Sequence, residues 1–138
     1  MSESDNLKMV REGYAAFLRG DVQTILNDLA DDVVWQSPYG AASHVPGSGE
    51  RRGKAAVADW FKVVAETATF TTYDVRDYVA TGDKVVALGH LAFTAINGAK
   101  FESDFAHVFT IKDRKITHHQ DFNDSAQINA TFQAQTAS

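Results

Sequence analysis

The chain has 138 residues, 44% of them hydrophobic and 22% charged, which suits a single globular domain over 1–138 with a sizeable core. Its 13 basic against 18 acidic side chains, a net charge of -5, argue against nucleic acid as the main partner. With no cysteine there is no disulfide, thiolate nucleophile or sulfur-ligated metal. No apolar run approaches the roughly 20 residues of a membrane span, and no signal-peptide pattern opens the chain, so the expected setting is cytoplasmic, away from membranes.

In chain order, Asn6 to Arg19 reads as a first helix: Ser4 or Asp5 caps it, and Leu7, Val10, Tyr14, Phe17 and Leu18 recur at helical spacing. Gly20 is a stop signal, and Asp21 starts a second helix with Val22, Ile25, Leu26 and Leu29 as its stripe. Val33 to Gln36 is a short strand ended by the turn Ser37-Pro38-Tyr39-Gly40. The glycine- and serine-rich stretch from there to Gly53 is a long loop, either a pocket lid or a surface excursion. Gly53 to Glu66 returns to helix, with Ala56, Val57, Trp60, Phe61 and Val64 on one stripe.

The remainder reads as sheet. Phe70 to Ala80 and Val85 to Ile96 are strands around a turn at Thr81-Gly82-Asp83-Lys84, and Asn97-Gly98 is the strongest hairpin signal. From Phe101 two more strands are joined at Lys112-Asp113-Arg114-Lys115. Period two puts Phe101, Ser103, Phe105, His107, Phe109 and Ile111 on one face of the first, and His119, Asp121 and Asn123 on one side of the second. Helices followed by a four-stranded antiparallel meander, with the short early strand added to it, make an α+β fold with helices on one face of a curved sheet. The final SAQINATFQAQTAS is a short helix or a frayed end.

The motifs YAAFLRGD, LADDVVW, GSGERRGKAAVADWF, VATGDKVVALG and HVFTIKDRKI followed by DFND resemble the SnoaL-like branch of the nuclear transport factor 2-like superfamily, in that family's order and over nearly the whole chain. The resemblance implies a cone-shaped α+β barrel of curved antiparallel sheet, N-terminal helices on its concave face, enclosing a small-molecule pocket. Ketosteroid isomerases of that superfamily place an aspartate base where this chain has Ser37. Their protonated aspartate falls at His107, and their helix tyrosine at Gly13, one position from Tyr14. All three differ, which argues against steroid isomerisation by that mechanism. SnoaL-like cyclases and limonene-epoxide-hydrolase-like members carry an inward acidic group on the last strand, matching Asp121; the arginine–aspartate pair of the hydrolases is missing from VVALGHLAFTAI, which offers only His90.

The candidate catalytic residues are therefore Asp121 as base or orienting acid, His107 as its partner or an oxyanion donor, and His90. A carboxylate beside an imidazole orients it and fixes its tautomer. Tyr14, Phe17, Trp35, Ser37, Tyr39, Trp60, Phe61, Phe105, His119 and Asn123 are the candidate ligand contacts, several of them equally readable as core. His118 and His119 adjoin and so face opposite ways; no metal spacing or phosphate loop is present, and no cofactor is expected. Two functions fit: a cofactor-independent cyclase, isomerase, dehydratase or hydrolase acting on a hydrophobic oxygenated compound, or a non-catalytic binding protein with the same pocket. A symmetric homodimer is expected through the sheet face away from the helices, with Ala106, Val108, Phe122 and Phe93 on it.

Overall fold

The computed structural model describes residues 2–37 and 43–133. Helix α1 spans Glu3–Leu18 and starts earlier than its apolar spacing suggests, because Ser2 caps it: the Asp5 amide donates to Ser2 Oγ at 3.0 Å, and the Asp5 side chain answers to the cap backbone. Gly20, at φ 76°, ends it, and Asp21 caps α2 (Val22–Asn27) through the Thr24 amide. Helix α3 (Lys54–Thr67) buries Val57 and Phe61, each contributing about 1.5–3 kcal/mol of transfer free energy. The final segment forms a helix, α4 (Ser125–Gln133), docked through Ile128 and Thr131.

Among the described residues six strands make one sheet: β1 (Leu29–Ser37), β2 (Gly49–Arg52), β3 (Ala68–Thr81), β4 (Lys84–Ala95), β5 (Lys100–Lys112) and β6 (Lys115–Phe122). Their order is β2-β1-β6-β5-β4-β3. The four-stranded meander is present, but the early strand joins it parallel to β6, with Trp35 beside His119. The sheet is thus mixed rather than wholly antiparallel, and its edges β2 and β3 do not meet, so the curved sheet is not closed into a barrel. Part of the expected long loop is strand: Gly49–Arg52 pairs with β1, while residues 38–42 lie outside the described part.

The concave face carries the core. Val10 and Tyr14 of α1 and Val57 and Phe61 of α3 pack against Trp35, Val85, Ala87 and Phe109. A second cluster around Leu91, Phe93, Phe101 and Phe105 is covered by Val45 and by Ile128 of α4. Phe93 was expected on the opposite face; it is buried in this cluster, because β4 turns Val85, Ala87, Gly89, Leu91, Phe93 and Ala95 inward. That strand is apolar on both faces, so its own pattern does not set its phase.

Candidate functional site

Two neighbouring strands and the first helix bring Tyr14, His107 and Asp121 together in the core. His107 and Asp121 sit directly opposite each other in the β5–β6 ladder. His107 Nε2 lies 3.1 Å from Asp121 Oδ1. On its other side, His107 Nδ1 is 2.6 Å from the hydroxyl of Tyr14, which reaches in from α1. With Asp121 ionised, its charge favours the tautomer with the proton on Nε2, a charge contact and not an aligned hydrogen bond, and Nδ1 accepts from the phenol. Burial first, then the neighbouring Tyr73, Tyr78 and Asp121, push the Tyr14 phenol well above its usual range, so it remains a donor at neutral pH. The result is a phenol–imidazole–carboxylate relay, all three members buried.

The relay forms part of the wall of a cavity of about 120 Å³. Of the candidate contacts, Tyr14, Phe17, Trp35, Trp60, Phe61, His107, His119, Asp121 and Asn123 line it. Phe105 does not: it is buried behind the site, its ring stacked on His107 at 4.2 Å between centroids. Ser37 is buried at the end of β1 outside the lining, and Tyr39 lies outside the described residues. His90 is on the outer face, where Nδ1 meets Asp104 and Nε2 meets Glu102, both at 2.8 Å. Those two hydrogen bonds, Glu102 first, raise its pKa, but nothing links it to the cavity.

Sequence periodicity missed Tyr73, which also lines the cavity. Strict alternation along β3 would group Phe70 with Thr72 and Asp74. Bulges between Phe70 and Thr72 and between Val75 and Asp77 shift the phase, so Phe70, Tyr73, Val75, Tyr78 and Ala80 are all half-buried on the inner side. Val45 and Pro46, and Ile128 and Phe132 of α4, contribute further wall. Among the described residues, no group of three or more histidine, aspartate or glutamate side chains is placed to hold a metal ion.

The family model of the SnoaL-like domain matches residues 10–119. The chain belongs to the SnoaL-like domain family. Among solved structures, a nuclear transport factor 2-like protein from Burkholderia xenovorans matches this SnoaL-like chain with TM-score 0.86 and 26% identity, over 96% of this chain and 98% of that one. A nuclear transport factor 2-like protein of unknown function from Burkholderia pseudomallei gives TM-score 0.82 and 27% identity, over 97% and 100%. TerC, co-crystallised with polyporic acid, shares the fold with TM-score 0.75 and 23% identity, over 94% and 99%. No curated protein matches the sequence significantly.

One further group sets the electrostatics of this SnoaL-like cavity. His119 stacks face to face on Trp35, 3.8 Å between centroids and 16° between planes, as the parallel β1–β6 register requires. Desolvation first, and then the charge of His107, hold its pKa well below the usual value, so the ring stays neutral in the folded chain. The unfolded histidine takes up a proton near pH 6.5, whereas the folded one does not. Its effect on stability is therefore nil above that pH and grows as the pH falls below it, by up to about 1.4 kcal/mol per unit. His119→Phe is expected to flatten this acid limb of the stability curve. Urea midpoints measured from pH 7 to pH 5 check it; identical slopes in both proteins would contradict it.

Proposed function

We propose that this chain binds a hydrophobic, oxygenated small molecule in the cavity and performs cofactor-independent acid–base chemistry on it, of cyclase, isomerase, dehydratase or hydrolase type. The observation that carries the reading is the relay Tyr14–His107–Asp121, buried and facing a mostly apolar cavity. A cavity of about 120 Å³ approaches the ~150 Å³ of an engineered apolar cavity that admits benzene. In such a site the Tyr14 oxygen takes a proton from a carbon next to a carbonyl while its own proton passes to His107 Nδ1. This gives an imidazolium beside the Asp121 carboxylate and an enolate, and the same route run backwards returns a proton elsewhere. TerC, of the same fold, was co-crystallised with polyporic acid, which fits a reading in which this fold takes up an organic compound.

The test requires no knowledge of the physiological substrate. A panel of small enolisable ketones in D2O is followed by proton NMR, with Trp35 and Trp60 fluorescence reporting binding in parallel. Catalysed loss of the α-proton signal is the expected result. Compounds that bind without accelerated exchange across the panel would overturn the catalytic reading and leave a binding protein.

The proposal includes a symmetric homodimer. On the outer face Phe122, Ala106 and Leu88 lie side by side across β6, β5 and β4, and Val108, Val86 and Val79 form a second row across β5, β4 and β3. Leu88, Phe122 and Val79 are 39%, 44% and 51% exposed, a contiguous apolar patch that a second copy would cover. A dimer mass by light scattering at micromolar concentration is expected; a monomer throughout would remove this part. No helix among the described residues is long and apolar enough to cross a membrane, and a cytoplasmic location belongs to the same reading.

A further inference from the structure

His119 takes no part in the relay, and its surroundings give it no structural reason to be polar. It stacks on Trp35, meets Phe109 edge to face at 4.8 Å, and is 4% exposed. Its Nδ1 is sealed in with no hydrogen-bond partner among the described residues. A phenylalanine would fill the same slot without leaving a buried polar atom unsatisfied. The ring nevertheless lines the cavity, which leaves Nε2 as the polar edge it offers to a ligand. A neutral imidazole has one N–H, and an orphaned buried N–H is rarer than an orphaned lone pair. The proton therefore belongs on Nε2, and the group presented is a hydrogen-bond donor.

We propose that His119 is a specificity-determining residue that donates from Nε2 to a carbonyl oxygen of the ligand, so that the cavity selects compact planar carbonyl compounds over their hydrocarbon counterparts. The inference rests on the reading of the cavity as a small-molecule site and names the ligand class. The centroids of His107 and His119 are 5.3 Å apart. An α-carbon and its carbonyl oxygen are separated by about 2.4 Å, so one ketone unit lying alongside the two adjoining rings reaches both the relay that takes the α-proton and the donor that holds the oxygen. The Trp35 ring, stacked on His119, fixes the imidazole plane and gives the ligand a flat surface beside it. The groups that bear on the charge of His119 are His107, Asp121 and His118, with burial outweighing all three, so the donor stays neutral and its strength does not follow pH above the range of an ordinary histidine. As an oxygen becomes an enolate, a neutral donor of this kind strengthens its bond without a proton having to be supplied from solvent.

The test uses the matched pair 1-indanone and indane, which differ in one carbonyl, with tryptophan fluorescence as the binding signal. Wild type is expected to bind 1-indanone about tenfold more tightly than indane, the size of one neutral hydrogen bond to an otherwise unsatisfied group. His119→Phe should bring the ratio of the two affinities to about one, whatever it does to each alone, and should raise the melting temperature, since a merely structural histidine would lower it when removed. His119→Gln, which keeps a donor, should restore part of the preference. In the 15N spectrum of the wild type, Nε2 of His119 should be the protonated nitrogen and should shift with 1-indanone and not with indane. Equal binding of the two compounds by wild type, or a preference that survives in His119→Phe, would overturn the assignment and leave the small-molecule reading standing. Failure of both compounds and the wider ketone panel to bind would overturn both.

Discussion

Asp121→Asn is expected to slow α-proton exchange by about 10²–10⁴-fold while the chain stays folded and still binds the ketone. The carboxylate lies 3.1 Å from His107 Nε2 and holds the tautomer in which Nδ1 faces Tyr14 as a base. An asparagine keeps the volume but presents an amide whose NH2 can donate to the ring. Its donation would place the imidazole proton on Nδ1, against the Tyr14 hydroxyl, and the relay would point the wrong way. The loss should fall on turnover rather than on apparent affinity, because the apolar walls that bind the ligand are unchanged. Tyr14→Phe removes the same route from its other end and should give a deficit that does not add to that of Asp121→Asn. An exchange rate within about threefold of wild type for Asp121→Asn would take the carboxylate out of the chemistry.

Gly89→Ala is expected to cost about 3 kcal/mol, the upper part of the range for overpacked cores, and to lower the melting temperature by roughly 10 °C. Gly89 pairs with Val75 on one side and Phe105 on the other. A Cβ there would overlap the Asp74 carbonyl oxygen and come within 2.7 Å of the Phe105 ring. The carbonyl belongs to the backbone beside a bulge and has little room to retreat. If Phe105 yields instead, it displaces the imidazole it stacks on, so lost stability and lost exchange activity should appear together. Thermal denaturation followed by circular dichroism measures the first effect. A melting temperature within about 2 °C of wild type would mean that the strand absorbs the extra methyl group.

What periodicity revealed, and what it hid, follows from where the ladders are regular. Pairing of β4 with β5 runs without a register shift, so the inward row of β5 from Phe101 to Ile111 could be read directly from alternation, and with it the position of His107. The two bulges of β3 break that rule, which is why Tyr73 was invisible. Gly49–Arg52 is a polar edge strand with no apolar face to announce it. The primed two-residue turn belongs to Asp113 and Arg114, both at positive φ, whereas Asn97-Gly98 sits in a longer connection where Asn97 Nδ2 donates to the Thr131 carbonyl of α4. Of the candidate site, the inward positions of His107 on β5 and of His119 and Asp121 on β6 could be read from each strand in isolation. The 2.6 Å bond from Tyr14 to His107 could not, since it depends on how α1 crosses the sheet.

The parallel pairing of β1 with β6 has a consequence for how the protein is born. Among the described strands β6 is the last to be synthesised, yet it lies inside the sheet, between β1 and β5. Without it, the remaining ladders join β1 to β2 and β3 to β4 to β5, two groups of strands that share no pairing. The edges of β1 and β5 that it covers are then unpaired. Such edges invite pairing with a neighbouring chain, so the nascent protein is most prone to aggregate just before its final strand inserts. That strand also carries His119 and Asp121. The step that seals the sheet is therefore the step that completes the site, and no shorter nascent fragment contains the chemistry.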